Sequence, residues 1–357
     1  NGFFYVINRE TGELISAEPF VETTWASHVD MKTGRPVEVP GSRYEDRSAV
    51  VTPTLFGAHS WHAMSYNPDT GLVYLPTIHH AVEYDDGLYD ESWRTEAFVG
   101  GTAVDWSGKV PQPRDYGGSL QAWDPVSQRQ VWEVKQEDFW NAGTLTTAGN
   151  LVFQGRSDGH FIAYDARSGA QIWSYDLGLG ISAPPITYKI DGKQYVSLLV
   201  GFGGGAAGKI GDRDSELGWA YGVHTRRLVT FALDSKLELP SQPAPYYPEP
   251  LADVDFKVNN LLAQNGKDVW DNNGCSACHG RDVIGAGMAP DLKASTIPVT
   301  EQGFAMVVRD GARRHRAMPG FSHLSDDELL ALRHYIRQQA RVALGEPTPE
   351  ILSAPIN

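Results

Sequence analysis

The chain reads as two folds in series: an all-β, propeller-like body and then a small α-helical domain. Three observations carry this reading. A strand–turn–strand unit recurs, since Ala122-Trp123-Asp124-Pro125-Val126-Ser127 through Trp132 and Ala163-Tyr164-Asp165-Ala166-Arg167-Ser168-Gly169 through Trp173 are near copies 41 residues apart (122 to 163, 132 to 173). A period of about 40 residues with about four strands is that of a propeller blade. The stretch Ser241 to Pro250 is dense in proline, which forbids helix and favours an extended spacer. Beyond it the apolar pattern turns helical, and the only two cysteines fall there, in Cys275-Ser276-Ala277-Cys278-His279.

Composition sets the bounds. At 357 residues there is room for two or more domains with cores of their own. A formal net charge of -14 argues against nucleic-acid binding, which needs a basic face, and gives no polybasic signal for anionic membranes. No apolar run reaches a membrane-spanning length. Ten Trp, 37 Gly and 22 Pro suit a turn-rich β body. The start has no initiator Met, basic n-region or apolar h-region. Asn1-Gly2-Phe3-Phe4-Tyr5-Val6-Ile7 already reads as a turn running into a strand, which fits a chain cut from a longer one.

Through residue 240 short strands alternate with turns, and no amphipathic helix stands out. Weaker copies of the repeat lie at Val6 to Gly12, Tyr66 to Gly71 and Ala232-Leu233-Asp234. An Asp or Asn side chain opens these turns, and where a Gly is present it takes the positive φ that closes them. The recurring Trp residues are expected as wedges between blades. Long insertions are expected at 21–60, 79–118 and 201–226, and loops on a rigid scaffold commonly carry function. About four blades can be counted, with no closing strand before the first, so they read as part of a larger ring. Gly203-Gly204-Gly205-Ala206-Ala207-Gly208 follows a strand, but no helix or acidic partner follows it, so a flexible loop is expected there. His79 and His80 are adjacent on a strand and point to opposite faces, so they do not share one ion.

The spacing Cys-x-x-Cys-His is that of c-type haem attachment, in which each thiol bonds a vinyl group and the histidine ligates the iron. A disulfide, a redox pair or half a zinc site are the competing readings. No second ligand pair and no βαβ setting supports the last two. Phe256 to Trp270 reads as a helix interrupted near Asn265-Gly266, with Gly266 and Trp270 on one face. Leu324-Ser325-Asp326-Asp327-Glu328 is a capping box before a helix carrying Leu329, Leu330, Leu332, Tyr335 and Ile336. Small cytochromes c pack their first and last helices through such a Gly and aromatic, answered by a Leu and an aromatic three apart, here Leu332 and Tyr335. His315, Met288, Met318 and His323 are candidates for the second axial ligand. Met318, in a non-helical stretch before the last helix, is the preferred one. The carbonyl of Pro290 is expected to accept the Nδ1 hydrogen of His279. Arg313, Arg314 and Arg316 read either as propionate partners or as a solvated loop.

Both halves together resemble the quinohaemoprotein alcohol dehydrogenases. The resemblance runs from residue 1 to about 340 and rests on Asn1 to Val6, Trp61-His62-Ala63-Met64-Ser65, Trp140 to Asn150, Val152-Phe153-Gln154-Gly155 and Tyr195-Val196-Ser197. It implies about the last four blades of an eight-bladed all-β propeller ring, followed by an α-helical class I cytochrome c domain. The implied organisation is 1–240 partial propeller for pyrroloquinoline quinone (PQQ), 241–253 Pro-rich linker, 254–345 cytochrome c domain and 346–357 tail. It implies PQQ, Ca²⁺ and covalent haem c as cofactors, with Cys275 and Cys278 binding the haem covalently and His279 and Met318 on its iron. Trp140, Asn141, Ala142 and His79 would lie near the quinone. His79 stands where relatives usually have Asn, and Ser60 also departs from a frequent Asn. The family's catalytic base and calcium ligands have no counterpart here. For a complete protein the resemblance implies periplasmic oxidation of a small alcohol to an aldehyde. Electrons would pass through the haem to an external acceptor, a small redox protein or a membrane quinone-linked subunit. A PQQ dehydrogenase for an aldehyde, sugar or polymer alcohol is the near alternative. A non-catalytic electron carrier with a propeller binding platform is the distant one.

Overall fold

The computed structural model describes residues 1–44, 47–85, 104–105, 111–113, 117–201, 223–280, 283, 285 and 289–346. Described residues 1–201 and 226–241 form one compact unit, and 223–225 with 242–346 form another.

The first unit is a series of small antiparallel sheets. β1 (Phe3–Ile7) pairs with β2 (Leu14–Pro19), and β3 (Ala26–Asp30) pairs with β4 (Arg35–Glu38). β5 (Ala49–Val51), β8 (Val82–Tyr84) and β9 (Val104–Asp105) make a three-stranded side sheet. β6 (Ser65–Asn67), β7 (Leu72–His79), β10 (Gly117–Asp124) and β11 (Arg129–Gln136) form a four-stranded sheet in the order β11-β10-β7-β6. β12 (Thr144–Thr146), β13 (Leu151–Gly155), β14 (His160–Asp165) and β15 (Gln171–Asp176) form the next in sequence order. β16 (Ile186–Ile190), β17 (Lys193–Val200) and β18 (Arg227–Ala232) form a three-stranded sheet.

The repeat is legible in the turns. Asn8, Asn67, Asp124 and Asp165 each accept backbone N–H bonds from residues two or three ahead. Three of these turns close on glycine at positive φ: Gly12 (76°), Gly71 (71°) and Gly169 (71°). The β10–β11 turn closes on Gln128 at 54° instead. Ala232-Leu233-Asp234 ends a strand and opens no hairpin among the described residues.

The wedge expectation is borne out for the repeated Trp residues. Trp132 leaves β11 and donates its Nε1 hydrogen to Ala166 O (3.0 Å) in the turn of the following sheet, where Tyr74 donates to the same carbonyl. A Cβ on Gly169 would fall 2.7 Å from the Trp132 ring, so glycine lets that turn sit on the indole. Trp173 packs edge-on against Phe231 of β18 (5.4 Å). Apolar clusters between sheets, such as Tyr74, Leu120, Trp132 and Ile162, form the core.

One expected insertion is built differently. Residues 21–60 hold β3, β4 and β5 rather than a loop. A register shift between Ala26 and His28 breaks the period of two that would have betrayed the strand. The insertion at 79–118 contributes β8 and β9, and its remaining residues apart from 79–81, 85, 111–113 and 117–118 lie outside the described ones, as do 202–222 with the Gly203–Gly208 stretch.

The second unit is helical: α1 (Asn260–Asn272), α2 (Ser276–His279), α3 (Glu301–Val308) and α4 (Asp326–Ala343). α1 begins later than Phe256 because Asn259 caps it, accepting from Leu261 N and Leu262 N. Nor does Gly266 interrupt it. A Cβ there would lie 2.0 Å from Ala331 O and 2.9 Å from Tyr335 Cβ, so glycine lets α1 pack directly on α4. The capping box at Ser325 and Glu328 forms as read. Leu329, Leu332, Tyr335 and Ile336 are buried, while Leu330 is half-buried.

The polar face of α4 is buried too. Arg333 donates to Pro298 O (2.9 Å) and Val299 O (2.8 Å), and its guanidinium lies 5.3 Å from the Phe256 ring. Arg337, with no exposed surface, donates to Leu251 O and Lys293 O and faces Asp253 at 3.6 Å. His334 accepts from Asn259 N (3.1 Å). The segment 251–259 is strapped along α4 by these groups.

Candidate functional site

In the helical unit the chain turns sharply after α1. Gly274 (φ 63°) leads into Cys275, which starts the single turn of α2. His279 N and Cys278 N both bond Cys275 O (3.0 and 3.3 Å). Residues at i, i+3 and i+4 of a helical turn share one face, so both thiols and the imidazole are presented together. The thiols are free, and burial pushes the Cys275 thiol up to about 12 and raises that of Cys278 as well. Reactive redox cysteines need the opposite shift. Among the described residues no group of three or more His, Cys, Asp or Glu gathers to hold a metal ion.

His279 is buried, and burial lowers its pKa, so the ring is neutral and a competent ligand. Its Nδ1 is 3.3 Å from Pro290 O, as expected, which assigns Nδ1 as donor and leaves the Nε2 lone pair for an iron. A Cβ on Gly285 would meet Ala289 O at 2.2 Å, so glycine is what lets the loop fold back beside Pro290. The Trp270 ring stands 6.0 Å from His279 and 5.6 Å from Tyr335. Trp270 Nε1 is buried with no partner among the described residues, a donor fit for an anionic or polar group of a bound molecule. Cys275 and Met318 both pack against the core that contains Trp270, Phe321 and Leu332. Met318 follows the positive-φ residue Ala317 in a non-helical stretch, and its N–H bonds Arg313 O (3.3 Å).

Of the other three candidates, two are described. His323 bonds Asn273 Oδ1 (2.8 Å), which ties it to the end of α1. His315 is exposed, and Met288 lies outside the described residues. The donor set Cys275, Cys278, His279 and Met318 therefore fits a c-type haem in its chemistry. A pocket of about 460 Å³ also lies in this unit, but its lining, from Val254 to Asn260 and along the end of α4, contains none of these residues.

In the β unit Trp140, Asn141 and Ala142 are all buried. Asn141 donates to Asp138 O (2.6 Å) and accepts from Ser157 N (3.0 Å), so its amide is fixed. Ala142 O accepts from Gln154, which in turn accepts from Gln136. Trp140 is the centre of an aromatic group of Phe56, Trp61, His62 and Phe139. Two distant stretches are pinned together here. Thr144 N bonds Ala63 O (2.7 Å), and Gly143 has no room for a Cβ against the Ala63 backbone.

His79 has other neighbours. Its Nε2 lies 3.0 Å from Thr77 Oγ1 and from Ser119 Oγ, inside the β7–β10 sheet, with Glu133 at 3.7 Å. Among the described contacts it is His80 that reaches the aromatic group, stacking on Phe139 at 5.5 Å. The sequence reading also passed over His62. It is buried between Trp61 (4.2 Å) and Trp140 (4.7 Å), its Nε2 has no partner among the described residues, and burial lowers its pKa to about 4. Its place in the stretch Trp61 to Ser65 was the available signal.

Comparison with known proteins places both halves. Residues 99–196 match the β-propeller domain of glucose/ethanol/alcohol dehydrogenases, and 262–336 match the family of cytochrome c oxidase, cbb3-type, subunit III. Quinohemoprotein alcohol dehydrogenase ADH IIB of Pseudomonas putida is 41% identical over 343 residues, 94% of this chain and 48% of that relative. The enzyme of Comamonas testosteroni is 36% identical over 97% of this chain and 48% of its own length. The solved structure of ADHIIG from Pseudomonas putida HK5 superposes with a TM-score of 0.76 at 35% identity, covering 97% of this chain and 51% of that one. The chain thus spans about half the length of the curated relatives it matches. With a PQQ-type propeller portion joined to a cytochrome c domain in one chain, it is similar over nearly its whole length to about half the length of the quinohaemoprotein alcohol dehydrogenases.

Proposed function

We propose that this chain is the later propeller portion and the haem-carrying domain of a PQQ-dependent alcohol dehydrogenase. The observation that carries the reading is the single helical turn at Cys275, Cys278 and His279, with Nδ1 of the histidine held by Pro290. The domains are read as 1–240 propeller portion, 241–253 linker, 254–345 cytochrome c and 346–357 tail. Bound PQQ would supply the two-electron oxidation of the alcohol, and covalent haem c the one-electron relay. Cys275 and Cys278 would anchor the haem. His279, with a neutral and oriented Nε2, and Met318, with its thioether, would hold the iron, and a thioether ligand would raise the potential relative to a second histidine. Trp140 presents a buried aromatic face, and Asn141 beside it an amide that Asp138 and Ser157 hold still. His79 is kept as a neighbour of the quinone on resemblance alone.

The Ca²⁺ ligands and the catalytic base are assigned to a part of the protein outside this chain. Haem attachment takes place on the oxidising side of a membrane, which supports a periplasmic setting. No helix among the described residues is long and apolar enough to cross a membrane. The partners are a small alcohol and an external electron acceptor. The test is the complete protein loaded with PQQ and Ca²⁺. Primary alcohols should reduce its haem in a stopped-flow spectrum. Haem that stays oxidised with every alcohol in a panel would end the dehydrogenase reading and favour an electron carrier.

A further inference from the structure

The chain is acidic, at -14 overall, and its described helical unit commits its cations almost completely. Arg309 pairs with Asp326 (2.6 Å) and Asp310, Lys267 with Asp271, Lys293 with Asp291, Arg333 with Glu301, Arg337 with Asp253 and Arg341 with Glu346. Lys257, which donates to Val254 O (3.1 Å), and one run of four residues depart from this pattern. Arg313, Arg314, His315 and Arg316 are all exposed and have no carboxylate partner among the described residues.

The run is also rigidly presented. Its backbone closes on itself through Arg314 N to Gly311 O, Arg316 N to Arg313 O and Ala317 N to Arg314 O, each between 2.8 and 3.0 Å. The Arg314 guanidinium lies over Gly311 and Gly320, where a Cβ would approach it to 2.5 and 2.8 Å. Met318 follows after Ala317, and its N–H bonds the Arg313 carbonyl. An exposed cationic turn is therefore fixed to the residue assigned to the haem iron.

We propose that this turn is the docking surface for the electron acceptor, and that the acceptor is a protein presenting carboxylates. The inference rests on the haem reading above. Desolvated fork-shaped guanidinium groups pair well with carboxylates, and uncompensated surface charge steers encounter more than it sets affinity. A membrane is the poorer match: four residues without an apolar helix face, on a chain of net charge -14, are not a polybasic anchor. Pairing with haem propionates is the competing use, and it would fix the potential rather than the encounter.

The experiment compares the haem-loaded chain with its Arg313→Glu/Arg316→Glu variant and with Arg313→Lys/Arg316→Lys. The reduced haem is mixed with the trianion ferricyanide or the trication tris(phenanthroline)cobalt(III), and binding of a fluorescent deca-glutamate peptide is followed by anisotropy. At low ionic strength the charge-reversed variant should react about tenfold more slowly with ferricyanide and about tenfold faster with the trication, and the difference should vanish near about 0.5 M salt. Its peptide binding should be lost, while the lysine variant keeps both properties and the haem potential stays in place. Unchanged rates with haem present would overturn the inference. So would a shifted potential with salt-independent rates, which marks a propionate role, or capture by phosphatidylserine vesicles without peptide binding. Absence of haem from the wild-type chain would instead overturn the haem reading, and this inference with it.

Discussion

Replacing Gly266 by alanine tests the helix pair that frames the haem motif. In an isolated helix the change stabilises by about 1 kcal/mol, because glycine loses more backbone entropy on folding. Here the new methyl would stand 2.0 Å from Ala331 O, 2.5 Å from Ala331 C and 2.9 Å from Tyr335 Cβ. Two of those atoms are backbone of α4 and have no rotamer to give, so the helices must part by about 1 Å or more, at a cost of about 1–3 kcal/mol. Parting them also loosens the Trp270–Tyr335 edge contact, worth about 1 kcal/mol. The net expectation is a loss of about 2 kcal/mol. Gly303, inside α3, is the matched control. A Cβ there is crowded by the Thr300 hydroxyl alone, at 2.6 Å, which can rotate away, and has ordinary contact with Ile297 O at 3.8 Å, so Gly303→Ala should be neutral or stabilising. Hydrogen exchange of α1 and α4 peptides reads the local stability directly. Gly266→Ala protein that exchanges as slowly as wild type would refute the close-packing argument.

Further expectations concern the buried polar groups and the sulfur ligand. His62 has a folded pKa of about 4 against an unfolded value of about 6.5, so the unfolded state takes up the proton first. Its contribution is constant above the unfolded value and is lost as pH falls from there toward the folded one, by up to about 3 kcal/mol. His62→Phe should flatten that part of the pH–stability curve, measured by urea titration of Trp fluorescence. Arg337→Met removes the partner of Leu251 O, Lys293 O and Asp253, and should cost about 3 kcal/mol in the strap and expose 241–256 to limited proteolysis. Met318→Ala in the haem-loaded chain should abolish the sulfur-to-iron charge-transfer band and lower the potential, read by redox titration.

The sequence carried the local rules well. Asn8, Asn67, Asp124 and Asp165 announced their turns, Ser325 and Glu328 their helix, and Gly266 with Trp270 the helix pair, because each depends on neighbours a few residues away or on a single close approach. The bulge at Ala26 and His28 hid a strand by shifting its register. The strap on α4 was illegible for another reason. Arg333 and Arg337 look like a solvated face, and only the folded chain shows carbonyls of distant loops meeting them. The aromatic group around Trp140 draws on residues from 56 to 140, which no local pattern links. His79 turns into the sheet, and its neighbour His80 reaches Phe139.

The most direct test of the account is the state of Cys275 and Cys278 after expression with a c-type haem maturation system. Mass spectrometry should find one haem added to the chain, on the peptide containing residues 275–279, with neither thiol open to maleimide. A pyridine haemochrome spectrum should show two thioether links. An unmodified chain with both thiols alkylated, under conditions that mature a control cytochrome, would contradict the account.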